Sequence, residues 1–281
     1  MEKFLYQWFL PFVTACLISF LLYLALKDYV YVIDGGGMNP NFFSGEIVIV
    51  KNDDGIRRND IVMIKNPLVK STSDKKHTLK RCVALPGDTV KIFEKKLFVN
   101  GKPQDESFCQ FNRKILFFSK DEIRAAHKRY GIFSKEVSSM DTVVPITEKL
   151  FLKIKTENLI KNISTEVMPK DMFDRHLFPY STYFSWNRDF YGALVVPKKG
   201  MTVKMDVANA VFYKFILEKY EAPNLQVKDG KLYVNGKVSD SYCFKHDYYF
   251  LLNDFRDDVS DSRTFGPVPE DFITGKFFMK L

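Results

Sequence analysis

Residues 33–51 read IDGGGMNPNFFSGEIVIVK, and the reading of the fold starts there. The run Ile47-Val48-Ile49-Val50 is short, β-branched and bounded by turn formers, which predicts a buried strand. Gly35, Gly36 and Gly37 precede Met38-Asn39-Pro40. Glycines permit backbone conformations that a Cβ forbids, and they let another chain approach closely.

Working outward, Asp60–Lys65 reads as a second strand, and residues 66–76 form a polar loop. The segment from His77 to Leu85 is a strand that runs into Pro86-Gly87-Asp88, a strand–turn–strand signal. Lys96-Leu-Phe-Val-Asn100-Gly101-Lys102 is a hairpin by its Asn-Gly turn, and it recurs almost unchanged as Lys231–Lys237. Gly-x-Thr-Val-Lys also occurs twice, at Gly87–Lys91 and Gly200–Lys204, so two similar strand–hairpin modules are expected, too few for a solenoid. Between them Ser119 and Glu122 form a capping box, opening a helix to about Arg129 that Gly131 closes. Helical periodicity returns over Glu148–Ile163 and Val207–Tyr220. Residues 178–192 are aromatic and turn-rich, and Tyr248–Leu252 is a strand.

Phe4–Leu26 carries no charge and is long enough to cross a bilayer as a helix. Trp8 and Tyr23, Tyr29 and Tyr31 flank it as interfacial aromatics, and no small-x-small cleavage site follows, so it reads as an uncleaved anchor. Lys3 against Lys27 and Asp28 does not orient it. The chain holds 281 residues with 27 Phe and 14 Tyr, an excess suited to strands or to a membrane-facing surface. Phe42 and Phe43 are open to the same two readings. The formal charge of +8 fits an anionic lipid surface. Without a long basic run or a legible motif, nucleic acid is excluded as a partner. Cys82, Cys109 and Cys243, with Cys16 in the apolar segment, show no CxxC, and the four histidines are dispersed. No metal and no cofactor are expected, and a Cys109–Cys243 disulfide stays open.

Three blocks carry a family resemblance. The first is Gly35–Val50 around Met38 and Pro40. The second is Lys80-Arg81 before Leu85-Pro86-Gly87-Asp88, and the third runs from Asn253 to Val268. In that order behind an apolar anchor, they resemble bacterial type I signal peptidases, membrane-anchored Ser/Lys endopeptidases. The resemblance implies Lys80 as the general base and Met38 and Pro40 as substrate contacts. It places the nucleophilic serine at Gly37, the oxyanion-stabilising serine at Gly35 and the lysine-orienting serine at Val259. In the third block Asp254, Arg256, Asp261, Ser262, Arg263, Gly266 and Val268 match the family and read as scaffold. Asn253 stands for its glycine and Phe255 for its asparagine.

The expected fold is therefore mostly β, a signal-peptidase-like body with one N-terminal transmembrane helix and an α+β insertion. Its parts are a tail at 1–3, the anchor at 4–26, the body at 27–103 and 198–281, and the insertion at 104–197. The insertion reads as a lid or a partner surface. A Ser/Lys protease needs a hydroxyl to attack and a neutral lysine to take its proton. Losing a serine nucleophile costs about a million-fold in rate in a serine protease. The chain is thus expected to be an impaired family member in the cytoplasmic membrane, its body on the extracytoplasmic side. Its expected partners are membrane lipid and the signal peptides of preproteins, with an active signal peptidase or the secretion machinery as further candidates. The family cleft binds extended segments by β-augmentation, and Glu46–Val50 with the glycine run is the expected edge. Two alternatives stand beside this reading: an active enzyme with an atypical nucleophile (Ser44, Ser260 or Ser262), and a purely structural membrane subunit.

Overall fold

The strand Ile47–Lys51 buries Val48 and Val50 and turns Ile47 and Lys51 outward. It is half-buried rather than fully buried, because successive side chains of a strand point to opposite faces. The computed structural model describes residues 11–18, 29–52, 55–67, 77–131, 140–157, 160, 162–221 and 224–281. Its main sheet runs Val30–Val32, Ile47–Lys51, Ile273–Lys280, Ile61–Lys65, His77–Ala84, Tyr248–Leu252, Val268–Pro269. Every neighbouring pair is antiparallel. Ile47–Lys51 therefore has a strand on both sides and offers no edge, which corrects the expectation for Glu46–Val50. Val30–Val32 covers its outer side, and the C-terminal strand on its inner side comes from the far end of the chain, where no local pattern announces the pairing.

Each face of this sheet carries a small apolar cluster. One holds Ile33, Met38, Phe42, Val48, Val50, Met63 and Leu79; the other holds Val62, Ile64, Cys82, Leu251, Phe265 and Val268. Phe42 is core, edge-on to Phe277 at 4.9 Å, whereas Phe43 is 51% exposed. The two phenylalanines thus divide between the two readings.

The first hairpin forms as expected, with Asn100 and Gly101 at φ of 53° and 76°, as a type I′ turn requires. Its strands join Phe190–Val195 in a four-stranded sheet. The second copy keeps the turn, with Asn235 and Gly236 at 51° and 75°. Its Thr202–Lys204 strand, however, pairs with Ser241–Cys243, and a helix intervenes before the hairpin. The copies share a hairpin but not what precedes it. That helix is α over Val207–Ile216 and a π turn over Leu217–Glu221, opened by Asp206 accepting from Asn209 N at 2.8 Å. Both modules enclose the largest core, around Val90, Leu97, Tyr191, Phe212, Leu232 and Phe250.

Within 104–197 a three-stranded sheet of Asn162–Ser164, Gln110–Leu116 and Asp141–Thr147 packs on helices Lys120–Tyr130 and Glu148–Glu157. Ser119 caps the first helix by accepting from Glu122 N at 3.2 Å, and Gly131 ends it at φ 65°. The second helix stops at Glu157. Asn162–Ser164 is a strand, with Ile163 opposite Ile115, so sheet pairing overrides the helical periodicity expected to Ile163. Cys109 is buried, Cys243 is exposed and both are free, so the disulfide is absent. The expected anchor at 4–26 lies largely outside the described residues. Residues 11–18 are helical, with Phe12, Val13, Leu17 and Ile18 exposed. Among the described residues no helix is long and apolar enough to cross a membrane.

Ile154 is fully buried in the core shared by this sheet and its helices. Ile154→Ala should lower the unfolding free energy by roughly 2–5 kcal/mol in a chemical denaturation experiment, the usual range for a buried isoleucine truncated to alanine.

Candidate active site

The strand His77–Ala84 presents Thr78 and Lys80 on one face and Arg81 on the other, by the two-residue period of a strand. Lys80 sits opposite Val62, is 4% exposed, and donates from Nζ to Thr78 Oγ1 at 2.9 Å. Burial pushes its pKa down to about 8, against a smaller upward pull from Asp261 and Asp258. The hydroxyl that holds the lysine thus comes from Thr78, which the sequence reading passed over. Its signal is the spacing of two residues from Lys80 on a strand.

A small cleft of ≈80 Å³ opens over Lys80, lined by Asp34–Met38, Thr78, Leu79, Asp258 and Ser260, and a neighbouring space of ≈150 Å³ adds Asn66 and His77. The structure therefore brings Lys80, Gly35 and Gly37 together. Met38 lines the cleft but is 3% exposed and packs into the cluster with Val48 and Leu79. Pro40 is half-buried and does not line it. Val259 turns its side chain against the largest core. Its neighbour Ser260 faces the cleft instead, donating to Asp258 Oδ1 at 2.6 Å and accepting from Asn253 Nδ2 at 3.2 Å.

The glycines differ in what they tolerate. Gly35 has φ 85°, a left-handed conformation that strains any residue with a Cβ. Gly37 has no such φ. A Cβ there would lie 2.7, 2.8 and 2.9 Å from Oδ1, Cγ and Nδ2 of Asn253. Asn253 is fully buried, and its Oδ1 has no hydrogen-bond partner.

The third block is a buried polar lattice. Arg81 Nε and Nη2 each meet Asp254 at 2.6 Å, and Asn41 Nδ2 donates to Asp254 at 2.7 Å. Arg256 pairs with Glu106 at 2.7 Å and donates to Asn253 O at 2.5 Å. Arg263 grips Asp261 at 3.0 and 2.6 Å, and donates to Arg256 O and Asp258 O. Asp261 also accepts from Asn253 N at 3.0 Å, and Ser262 Oγ accepts from Leu251 N at 2.9 Å. Each of these side chains is spent on a buried backbone group or on another buried polar side chain. Among the described residues the one cluster with metal-ligand types, His246, Glu270 and Asp271, is mostly exposed and lies outside the cleft lining.

Chemically, the cleft offers an amine that is easily neutralised, a threonine and a serine hydroxyl, and two carboxylates, with no side chain at position 37. The lysine has a consequence for stability. In the unfolded chain Lys80 titrates near 10.5 and in the fold near 8. Between those values protonation favours the unfolded state, so the penalty grows as pH falls from 10.5 and is complete below 8. It amounts to roughly 2–4 kcal/mol. Lys80→Met should therefore raise the denaturation midpoint at pH 7, and the gain should shrink as pH approaches 10.5. A gain independent of pH would contradict a buried, mostly desolvated amine.

Residues 5–158 and 239–281 match the family described as signal peptidase, peptidase S26. Among curated relatives, signal peptidase I P of Bacillus subtilis subsp. natto is 30% identical over 112 residues, 37% of this chain and 58% of that protein. Signal peptidase I S and signal peptidase I V of Bacillus subtilis (strain 168) are both 33% identical, over 37% and 38% of this chain and 57% and 62% of their own lengths. The alignments thus span a little over half of these relatives. A crystal structure of a signal peptidase I from Enterococcus faecalis V583 aligns over 80% of this chain and 98% of that one, at 16% identity and a TM-score of 0.30. With the family match covering well over half of its length, the chain belongs to the signal peptidase family, peptidase S26.

Proposed function

We propose that this chain is a signal peptidase I homologue that recognises signal-peptide segments in its cleft without cutting them. One observation carries the reading: Lys80, in the general-base position, is buried beside Gly37, and the space a side chain would need at Gly37 holds Asn253. A base that faces no hydroxyl at the attacking position has no proton to remove there.

Recognition needs backbone and shallow pockets rather than a nucleophile. The strand His77–Ala84 pairs with Ile61–Lys65 over residues 77–81 on one side, and with Tyr248–Leu252 only at residues 81–84 on the other. Thr78–Lys80 has no strand partner on that second side among the described residues, and Asp34–Met38 lies across the cleft from it. An extended segment laid between them would add a strand there, so Thr78–Lys80 takes the place first expected of Glu46–Val50. Met38 then forms part of the floor of the cleft, and Pro40 lies in the turn between Val30–Val32 and Ile47–Lys51. The apolar stretch 4–26 and the exposed Phe12, Val13, Leu17 and Ile18 support a membrane anchor, and membership of the family supports a body on the extracytoplasmic side. An active signal peptidase or another part of the secretion apparatus is the partner such a non-cutting receptor would serve.

A second reading has one observation of its own. Ser260 faces the same cleft as Lys80 and donates to Asp258, so it is the one described serine placed as an alternative nucleophile there. Incubating the detergent-solubilised chain with a preprotein carrying an Ala-x-Ala site separates the two. Absence of product, together with saturable binding of an uncleaved fluorescent signal peptide, is the expected result. Gly36→Trp should abolish that binding, because Gly36 lines the cleft and has an ordinary φ. Specific cleavage that disappears in Ser260→Ala would replace the first reading with the second.

A further inference from the structure

We infer that Asn253 is the residue that closes the nucleophile position, and that Gly37 and Asn253 are one interdependent pair rather than two separate losses. This rests on the reading of the cleft given above, since only that reading makes position 37 the attacking one.

The three atoms nearest to a Cβ on Gly37 all belong to the Asn253 side chain, at 2.7–2.9 Å. Real Cβ atoms do not come so close to other heavy atoms, so one of the two must give way. The backbone at Gly37 is no obstacle, because its φ lies in the ordinary range. Asn253 is not free to swing aside. Its Nδ2 donates to Asp258 O at 3.1 Å and to Ser260 Oγ at 3.2 Å. Its own backbone is pinned at N by Asp261 and at O by Arg256. Opposite it, Phe255 N donates to Gly37 O at 2.8 Å, which holds the two segments at a fixed separation.

Only the Nδ2 end of the Asn253 amide is satisfied. Its Oδ1 is buried without a donor, a cost ordinarily avoided. The family pattern has a serine at position 37 and a glycine at 253; here the larger side chain has changed sides. Small against large is kept, and the hydroxyl is what the exchange removes. A serine returned to position 37 alone therefore meets the Asn253 amide. Competence at this position requires Gly37→Ser with Asn253→Gly.

A double-mutant cycle on the full-length chain reads the coupling without any peptide. Gly37→Ala should lower Tm by roughly 3–10 °C in the native background. With Asn253→Gly present it should lower Tm by no more than about 2 °C. Equal losses in both backgrounds would overturn the inference. Should Gly37→Ala fail to fold, recovery of soluble, cooperatively unfolding protein on adding Asn253→Gly or Asn253→Ala supports it. Failure of Gly37→Ala in all three backgrounds overturns it. Because the cycle measures packing only, its outcome is independent of whether signal peptides bind. A coupled pair in a chain that binds none would leave the inference standing and remove the functional reading instead.

Discussion

One buried carboxylate ties the site together. Asp254 accepts two hydrogen bonds from Arg81 at 2.6 Å and a third from Asn41 at 2.7 Å, with no solvent exposure of its own. Asn41 lies in the glycine-run block, Arg81 follows Lys80, and Asp254 belongs to the third block, so this one group joins all three. Removing one partner of such a pair costs about 3–5 kcal/mol, because the other charge is left buried and unpaired. The position of Lys80 follows from that restraint. Arg81 is fixed on one face of its strand, so its neighbour must project from the other, into the cleft.

The same logic explains which family residues this chain keeps. Asp254, Arg256, Asp261, Ser262 and Arg263 each satisfy buried backbone or a buried charge, so removing one is expected to cost about 1–3 kcal/mol for the neutral Ser262 and about 3–5 kcal/mol for a paired charge. The three positions to which the resemblance assigns hydroxyls each have a different local arrangement. Gly35 has taken a left-handed φ, Gly37 lies against Asn253, and Val259 has turned into the core. A side chain would meet backbone strain at position 35 and the Asn253 amide at position 37.

Much of this was legible in the chain because it is local. Asn100-Gly101 and Asn235-Gly236 announce their turns, Ser119 and Gly131 announce a helix, and β-branched runs announce the strands. The blocks pointed to Lys80, Gly37 and the third-block scaffold for the same reason. What the sequence hid is pairing at long range. The last strand inserts beside Ile47–Lys51, which removes the edge expected there, and Asn162–Ser164 becomes a strand only through Lys114–Leu116. Asn253 was visible as an exception to the pattern. That it fills the space of residue 37, some two hundred positions earlier, is a fact of packing alone.

The insertion belongs to this restraint too. Gln110 donates from N to Asp254 O and accepts from Arg256 N, both at 2.9 Å, and Asn112 N donates to Asp257 at 2.7 Å. Glu106 holds Arg256, and Lys95 bridges Asp257 to Asp189 of the Trp186–Asp189 segment at 2.5 and 3.2 Å. A lid has to swing, and swinging here would break two backbone bonds and three charge-assisted contacts, each worth about 1–3 kcal/mol. It would also drag on the block that carries Asn253, Asp258 and Ser260. These attachments tie the insertion to the third block rather than leaving it free to swing as a unit.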